Sequence, residues 1–155
     1  MSERSDHAGV KFPPPIVYAF AVLAGWRLNR TWPLPIHSQA GLIAAVLAWV
    51  LGAAALLLLA TPAVLFIRKH TSILPMRPSS ALVAAGPYRF TRNPIYISFL
   101  LLQAALAVWT GWWAVLALVP VSLVALDLFV IRGEEKRLAG FSGYEEYKGK
   151  VRRWL

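Results

Sequence analysis

Two long runs without a charged side chain constrain the fold of this 155-residue chain more than any other feature. The first contains the 27 residues from Gly41 to Ile67, and the second contains the 33 residues from Pro94 to Leu126. An uncharged apolar run of about 18 residues or more is typical of a helix that spans a membrane. With 58% hydrophobic and 15% charged residues, the chain is too apolar for a soluble enzyme. The absence of cysteine excludes a disulfide scaffold and thiolate metal sites.

These two runs and a shorter apolar segment near the N-terminus predict four transmembrane helices. The short segment follows three consecutive prolines and predicts a first helix, and the 27-residue run predicts a second. The 33-residue run is too long for one span of about 20 residues. Gly111, which lies among three tryptophans in its middle, predicts a tight turn between two helices. The predicted helices cover approximately residues 13–28, 40–67, 94–109 and 112–138.

The positive charges indicate how the bundle is oriented. Segments 1–12, 68–93 and 132–155 carry 14 of the 16 basic residues, and the two predicted outer loops carry only Arg30. Because loops rich in lysine and arginine remain in the cytoplasm, we expect both termini to be cytoplasmic, in a bacterial inner membrane. The same distribution argues against a nucleic-acid partner. The fold class is thus predicted to be all-α: one integral membrane domain over 1–155, a bundle of about four transmembrane helices with a cytosolic C-terminal helical tail.

A first dense polar segment, GPYRFTRNPIY from Gly86 to Tyr96, lies directly before the third predicted helix. Asn93 suits the position that caps a helix, and Pro94 suits the first turn. A helix N-terminus next to two arginines, Arg89 and Arg92, predicts an anion site at the membrane boundary. The alternative is that these arginines reach lipid phosphates and that the tyrosines of the segment belong to an interfacial aromatic belt.

A second dense polar segment follows the fourth predicted helix and begins with Glu134 and Glu135. On a continuous helix, Asp127 shares a face with one of these two glutamates. An acid inside a membrane span is a candidate functional residue with an arginine as its partner; alternatively, Asp127 serves assembly and the glutamates form a solvated helix end. Basic and acidic groups beside a hydrophobic cavity suit an amphoteric ligand, such as an amino acid with a nucleotide attached.

Both segments resemble motifs of the isoprenylcysteine carboxyl methyltransferase and phospholipid methyltransferase family. The first is similar to G-P-Y-R-x-x-R-[HN]-P-x-Y, and the tail from Glu134 to Trp154 is similar to E-E-x-x-L-x-x-x-[FY]-G-x-x-Y-x-x-Y-x-x-x-[VT]-x-R-[WF]. The resemblance covers residues 66–155. It implies an S-adenosyl-L-methionine-dependent methyltransferase that yields S-adenosyl-L-homocysteine. Its cofactor pocket would face the cytosol between segments 80–96 and 131–154, and lipophilic substrates would enter from the bilayer.

Carried over by position, the resemblance also implies roles for individual residues. The implied catalytic residues are Arg92, Glu135 and Arg153. The implied cofactor-binding residues are Gly86, Pro87, Tyr88, Arg89, Arg92, Asn93, Pro94, Tyr96, Glu134 and Glu135. The implied substrate residues are Tyr144, Tyr147, Arg152 and Trp154. No metal ligand is implied, and the partners are a lipophilic small molecule and membrane lipid.

The methyl acceptor stays open between a carboxylate, an amine and a thiol. Many carboxyl methyltransferases of the group have a histidine and a threonine where this chain has Ser80 and Ala84, so a prenylated cysteine is not established as the substrate. Two other functions also stay open. One is a non-catalytic membrane module that binds anionic lipid or partner helices, and the other is a nicotinamide-dependent reductase on the same fold. The three histidines lie in separate segments, so no metal site is expected.

Overall fold

The computed structural model describes residues 13–34, 41–68 and 84–155. All regular secondary structure in these ranges is helical, which confirms the predicted all-α class. Positions 80–83 of the predicted cofactor segment and all three histidines lie outside the described residues. In chain order the elements are α1 (Pro14–Thr31), α2 (Leu42–Arg68), a 3-10 turn (Gly86–Arg89), α3 (Pro94–Thr110), α4 (Trp113–Ala117), α5 (Val119–Leu126), a π-helical turn (Asp127–Ile131), α6 (Arg132–Leu138) and α7 (Tyr144–Lys150).

Within residues 13–34, 41–68 and 84–155, two helical stretches are long and apolar enough to cross a membrane. These are Leu42–Leu65, within α2, and Trp113–Leu138, which runs from α4 through α6. The third helix, α3, is apolar but shorter. Four membrane crossings and a cytosolic tail therefore stay predictions of the sequence.

The turn between α3 and α4 lies at Gly111, as the sequence predicts. Gly111 has a φ of 71°, in the left-handed region, and its N–H donates to the carbonyl of Ala107. Glycine adopts this conformation at little cost, so it ends α3 and allows the chain to reverse.

The helix predicted over 112–138 is present as the helical stretch Trp113–Leu138, but its regular α-helical geometry is interrupted twice. The first interruption, at Leu118, precedes Pro120, whose ring nitrogen has no hydrogen to donate and whose ring displaces the carbonyl four residues earlier. The second is the π-helical turn after α5. This turn changes which side chains of α6 share a face with Asp127.

Close packing fixes α1 against α4. A Cβ atom added at Gly25 would lie 2.7 Å from Val115 Cγ2 and 2.8 Å from its Cα. Beside this contact, the Asn29 side-chain oxygen accepts a hydrogen bond from the Ala114 N–H at 3.0 Å. These contacts join the N-terminal helix to the hairpin.

A buried amide ties α3 to the two short helices after the turn. The Gln103 side chain donates to the Val115 carbonyl at 3.0 Å and accepts from the Ser122 hydroxyl at 2.9 Å. Unsatisfied polar groups are costly in an apolar interior, so this pairing stabilises the broken helix.

The apolar core adjoins the polar segments, because it includes Tyr96 of the first segment. It is formed by Tyr18, Tyr96, Leu100, Leu126, Val130 and Ile131.

The contact at Gly25 predicts opposite effects for two glycine substitutions. Gly25→Ala should lower stability by about 1–3 kcal/mol, because the new methyl group meets backbone atoms of Val115. Gly52→Ala, in α2, is the control: no atom lies within 4 Å of its added Cβ, and alanine favours a helix by about 0.5–1 kcal/mol over glycine. Thermal unfolding in detergent measures both, and equal Tm values for the two variants would contradict the packing of α1 against α4.

Candidate functional site

The structure brings the two polar segments together at the start of α3. The backbone N–H of Arg92 donates to the Arg152 carbonyl at 3.0 Å. The Arg153 carbonyl accepts two side-chain bonds, from Asn93 Nδ2 at 2.8 Å and from the Thr91 hydroxyl at 3.1 Å. The C-terminal tail is therefore held by the residues that precede α3, and the functional groups of both segments share one region.

The Glu135 carboxylate lies between an arginine of each segment. Arg153 contacts it in a bidentate pair, with Nε 3.0 Å from Oε1 and Nη2 2.6 Å from Oε2, and Arg92 Nη1 lies 2.9 Å from Oε1. The Arg92 and Glu135 side chains are only 12% and 15% exposed, so little water competes for the pair. The hydrogen bonds that Arg153 donates to Glu135 raise the pKa of Arg153, which stays charged.

Asp127, at the start of the π-helical turn, extends this network. Its Oδ1 atom accepts from Arg153 Nη1 at 2.8 Å, and its Oδ2 atom accepts from Arg132 Nε at 3.0 Å. Asp127 and Glu135 thus bind the same guanidinium. This confirms the expectation that Asp127 shares a face with one of the two glutamates.

The π-helical turn explains why that glutamate is Glu135. In an uninterrupted α-helix, residues eight apart are rotated by about 80° from each other and residues seven apart by about 20°. The π-helical turn holds one residue more than an α-helical turn. The rotation about the helix axis between Asp127 and Glu135 therefore falls to about 20°. Glu134 consequently faces another neighbour.

That neighbour is Tyr96, whose hydroxyl donates to Glu134 Oε1 at 2.6 Å. The Tyr96 carbonyl in turn accepts from the Tyr18 hydroxyl of α1 at 3.0 Å. Within the described parts of the chain, Glu134 forms no ion pair within 4.0 Å. Its carboxylate therefore keeps more capacity to accept further hydrogen bonds than that of Glu135.

Two tyrosines of the tail and one of the first segment lie at the junction of the two segments. The Tyr144 hydroxyl accepts from Arg92 Nη1 at 3.4 Å, and the Tyr147 hydroxyl donates to the Tyr88 carbonyl at 2.8 Å. Burial raises the pKa of all three phenols, that of Tyr147 to about 12. At neutral pH they are consequently protonated and act as neutral hydrogen-bonding groups.

Arg92 also has a buried donor that nothing in the described ranges satisfies. Its Nε atom is buried and has no hydrogen-bond partner among the described residues. An unsatisfied buried donor costs about 1–3 kcal/mol. A ligand oxygen bound next to this atom would remove that cost.

The remaining predicted residues have different surroundings. Asn93 stands before α3 as expected, but its side chain does not cap the helix and binds the Arg153 carbonyl instead. Gly86 has a φ of 60°, and an added Cβ would lie 2.8 Å from Leu65 of α2. The absence of a side chain at Gly86 therefore allows the 3-10 turn to approach α2. Arg89 and Arg152 are exposed, and Trp154 packs against the apolar core. Pro94 is buried as the first residue of α3, and Pro87 lies in the 3-10 turn.

Several contacts of the site were missed by the analysis of the sequence. Thr91 lies inside the first motif but was given no role, although its hydroxyl holds the tail. Tyr18 had no signal in the sequence, because it lies 78 positions from its partner Tyr96. Arg132, whose exposed side chain lies outside the cluster around Glu135, is recognised only from its contact with Asp127.

Comparison with known proteins gives one match. The family model described as phospholipid methyltransferase matches residues 50–141, which is more than half of the chain. The matched region includes the first motif, the hairpin and the glutamate pair. No curated protein and no solved structure matches the chain.

The position of Glu135 predicts a stability effect for its neutral analogue. Glu135→Gln should lower stability by about 3 kcal/mol, because it leaves two partly buried arginines without their shared acid. Glu146→Gln is the matched control: that acid lies in an exposed pair with Lys150, and its loss should change Tm little. Equal Tm values for the two variants would contradict the central role of Glu135.

Proposed function

The chain belongs to the phospholipid methyltransferase family, and on this premise we propose that it transfers a methyl group from S-adenosylmethionine to a small lipophilic acceptor in the membrane. Family membership supports a membrane methyltransferase in general. The observation that carries the finer proposal is the joining of both motifs around Glu135. Beside it lie the Arg92 Nε atom, which has no partner among the described residues, and a second, less occupied glutamate.

The chemistry of this cluster fits an amphoteric ligand. S-adenosylmethionine carries an ammonium group, a carboxylate and ribose hydroxyls. The buried Nε atom of Arg92 is a donor that lacks an acceptor in the described ranges, and it would suit the carboxylate. Glu134 would suit the ammonium group or a ribose hydroxyl. It accepts one hydrogen bond from Tyr96 and forms no ion pair within 4.0 Å among the described residues.

The two glutamates would then have separate tasks. Both oxygens of Glu135 are occupied by arginines, so this residue would hold the two motifs in place. Glu134 would contact the ligand. When bound, S-adenosylmethionine supplies a methyl group already activated by its sulfonium. The contribution of the chain would then be to position the acceptor and to exclude water from it.

An apolar surface groove supports a lipophilic acceptor. It lies along α5 and the π-helical turn. A carboxylate acceptor would need only an orienting arginine such as Arg153, whereas an amine would also need a proton acceptor such as Glu134. The groove is lined by Pro120, Val121, Val124, Ala125, Leu128 and Phe129.

The location follows from the same proposal. A membrane-embedded enzyme needs its polar site on the side that supplies the cofactor. The concentration of basic residues in segments 68–93 and 132–155 supports a cytoplasmic site in a bacterial inner membrane.

Calorimetric titration of the detergent-purified protein with S-adenosylhomocysteine tests the cofactor. We expect micromolar binding by the wild type. Glu134→Gln should weaken binding by about tenfold, because it replaces one acceptor oxygen of the carboxylate by an NH2 group that can only donate. Its Tm should hardly change, since Glu134 forms no ion pair in the described ranges.

Two controls make this titration decisive. Glu146→Gln, the same change on exposed α7, should bind like the wild type. If the folded, lipid-supplemented wild type binds no S-adenosylhomocysteine, the cofactor proposal is wrong. If Glu134→Gln binds as tightly as the wild type, Glu134 is not a ligand residue.

A further inference from the structure

We propose that Asp127 is a positioning residue of the cofactor site, acting through Arg153 and Glu135 on Arg92. The role rests on the proposed function, because it concerns the same ligand. Asp127 belongs to neither motif: it lies seven positions before Glu134, in the middle of the apolar stretch Trp113–Leu138. An acid in such a stretch is costly unless it has a partner, and the structure supplies that partner from the tail.

Arg153 is held from two sides by acids of the same helical stretch. Glu135 binds its Nε and Nη2 atoms, and Asp127 binds its Nη1 atom. All three guanidinium nitrogens are therefore engaged, which fixes the plane of the group. If Asp127 were neutral, only the bidentate pair with Glu135 would hold the Arg153 guanidinium by charge. The guanidinium could then rotate relative to Glu135.

Movement of the Arg153 guanidinium would alter the cofactor site, because Glu135 contacts both Arg153 and Arg92. The Oε1 atom of Glu135 is shared between Arg153, at 3.0 Å, and Arg92, at 2.9 Å. Any movement of this carboxylate therefore changes the position of Arg92, whose buried Nε atom is the donor assigned to the ligand. The charges support the same role, because the two acids Asp127 and Glu135 neutralise the two arginines Arg92 and Arg153.

The other contact of Asp127 provides an internal control. Its Oδ2 atom binds Arg132, whose side chain is 58% exposed, whereas Asp127 itself is 16% exposed. Arg132 points to solvent and touches neither Glu135 nor Arg92 in the described ranges. Removing Arg132 thus removes an ion pair of Asp127 without loosening Arg153.

The test is calorimetric titration of the full-length protein with S-adenosylhomocysteine. Asp127→Asn should weaken binding by about tenfold, because it replaces a charge-assisted bond to Arg153 by a neutral one. Asp127→Glu, which restores the negative charge, should recover most of that affinity. Arg132→Gln should bind like the wild type.

A double substitution separates positioning from general destabilisation. Arg153→Lys keeps the positive charge but cannot contact both acids, so it should weaken binding by about as much as Asp127→Asn. If Asp127 acts through Arg153, Asp127→Asn combined with Arg153→Lys should be hardly weaker than Arg153→Lys alone. If Asp127→Asn folds poorly, Arg153→Lys alone still tests the proposal, because its affinity for S-adenosylhomocysteine must then be reduced.

Three results would overturn the role of Asp127 while leaving the proposed function intact. They are wild-type affinity in Asp127→Asn or in Arg153→Lys, no recovery in Asp127→Glu, and fully additive losses in the double variant. A wild-type protein that binds no S-adenosylhomocysteine overturns the proposed function itself, and the role of Asp127 with it.

Discussion

The sharing of the Glu135 carboxylate between Arg92 and Arg153 is the interaction on which the polar end of the protein depends. Arg92 belongs to the segment before α3, Glu135 to α6 and Arg153 to the tail, so one carboxylate joins three parts of the chain. Because Arg92 and Glu135 are largely shielded from water, the loss of Glu135 leaves Arg92 buried without its ion-pair partner. The hydrogen bonds from Thr91, Arg92 and Asn93, which precede α3, to the carbonyls of Arg152 and Arg153 reinforce the same junction.

One irregularity of the helical stretch Trp113–Leu138, the π-helical turn, determines which groups meet there. A straight helix would place Glu134, rather than Glu135, on the face of Asp127. The π-helical turn shifts the register by about one residue, so Glu135 joins the arginines and Glu134 meets Tyr96. Adjacent glutamates thereby acquire different surroundings. One is occupied by two cations, and the other receives a phenol hydrogen bond and keeps capacity for a ligand.

Much of this arrangement could be predicted from the sequence, and the failures have physical causes. Uncharged runs identified the helices and Gly111 identified the hairpin turn, because both are local properties of the chain. The motifs indicated the candidate residues. The π-helical turn could not be predicted, since it depends on how α5 and α6 pack against the rest of the bundle. The bond from Tyr18 to Tyr96 depends on tertiary packing across 78 positions and has no local signal.

The proposed function requires that the segment before α3 and the segment at α6 together hold the cofactor. Ultraviolet cross-linking of S-adenosylmethionine labelled in its adenosine, followed by peptide mapping, tests this most directly. The account predicts label in peptides that contain residues 86–96 or 132–138, and competition by excess S-adenosylhomocysteine. Label confined to α1 or α2, or label that S-adenosylhomocysteine does not displace, would contradict it.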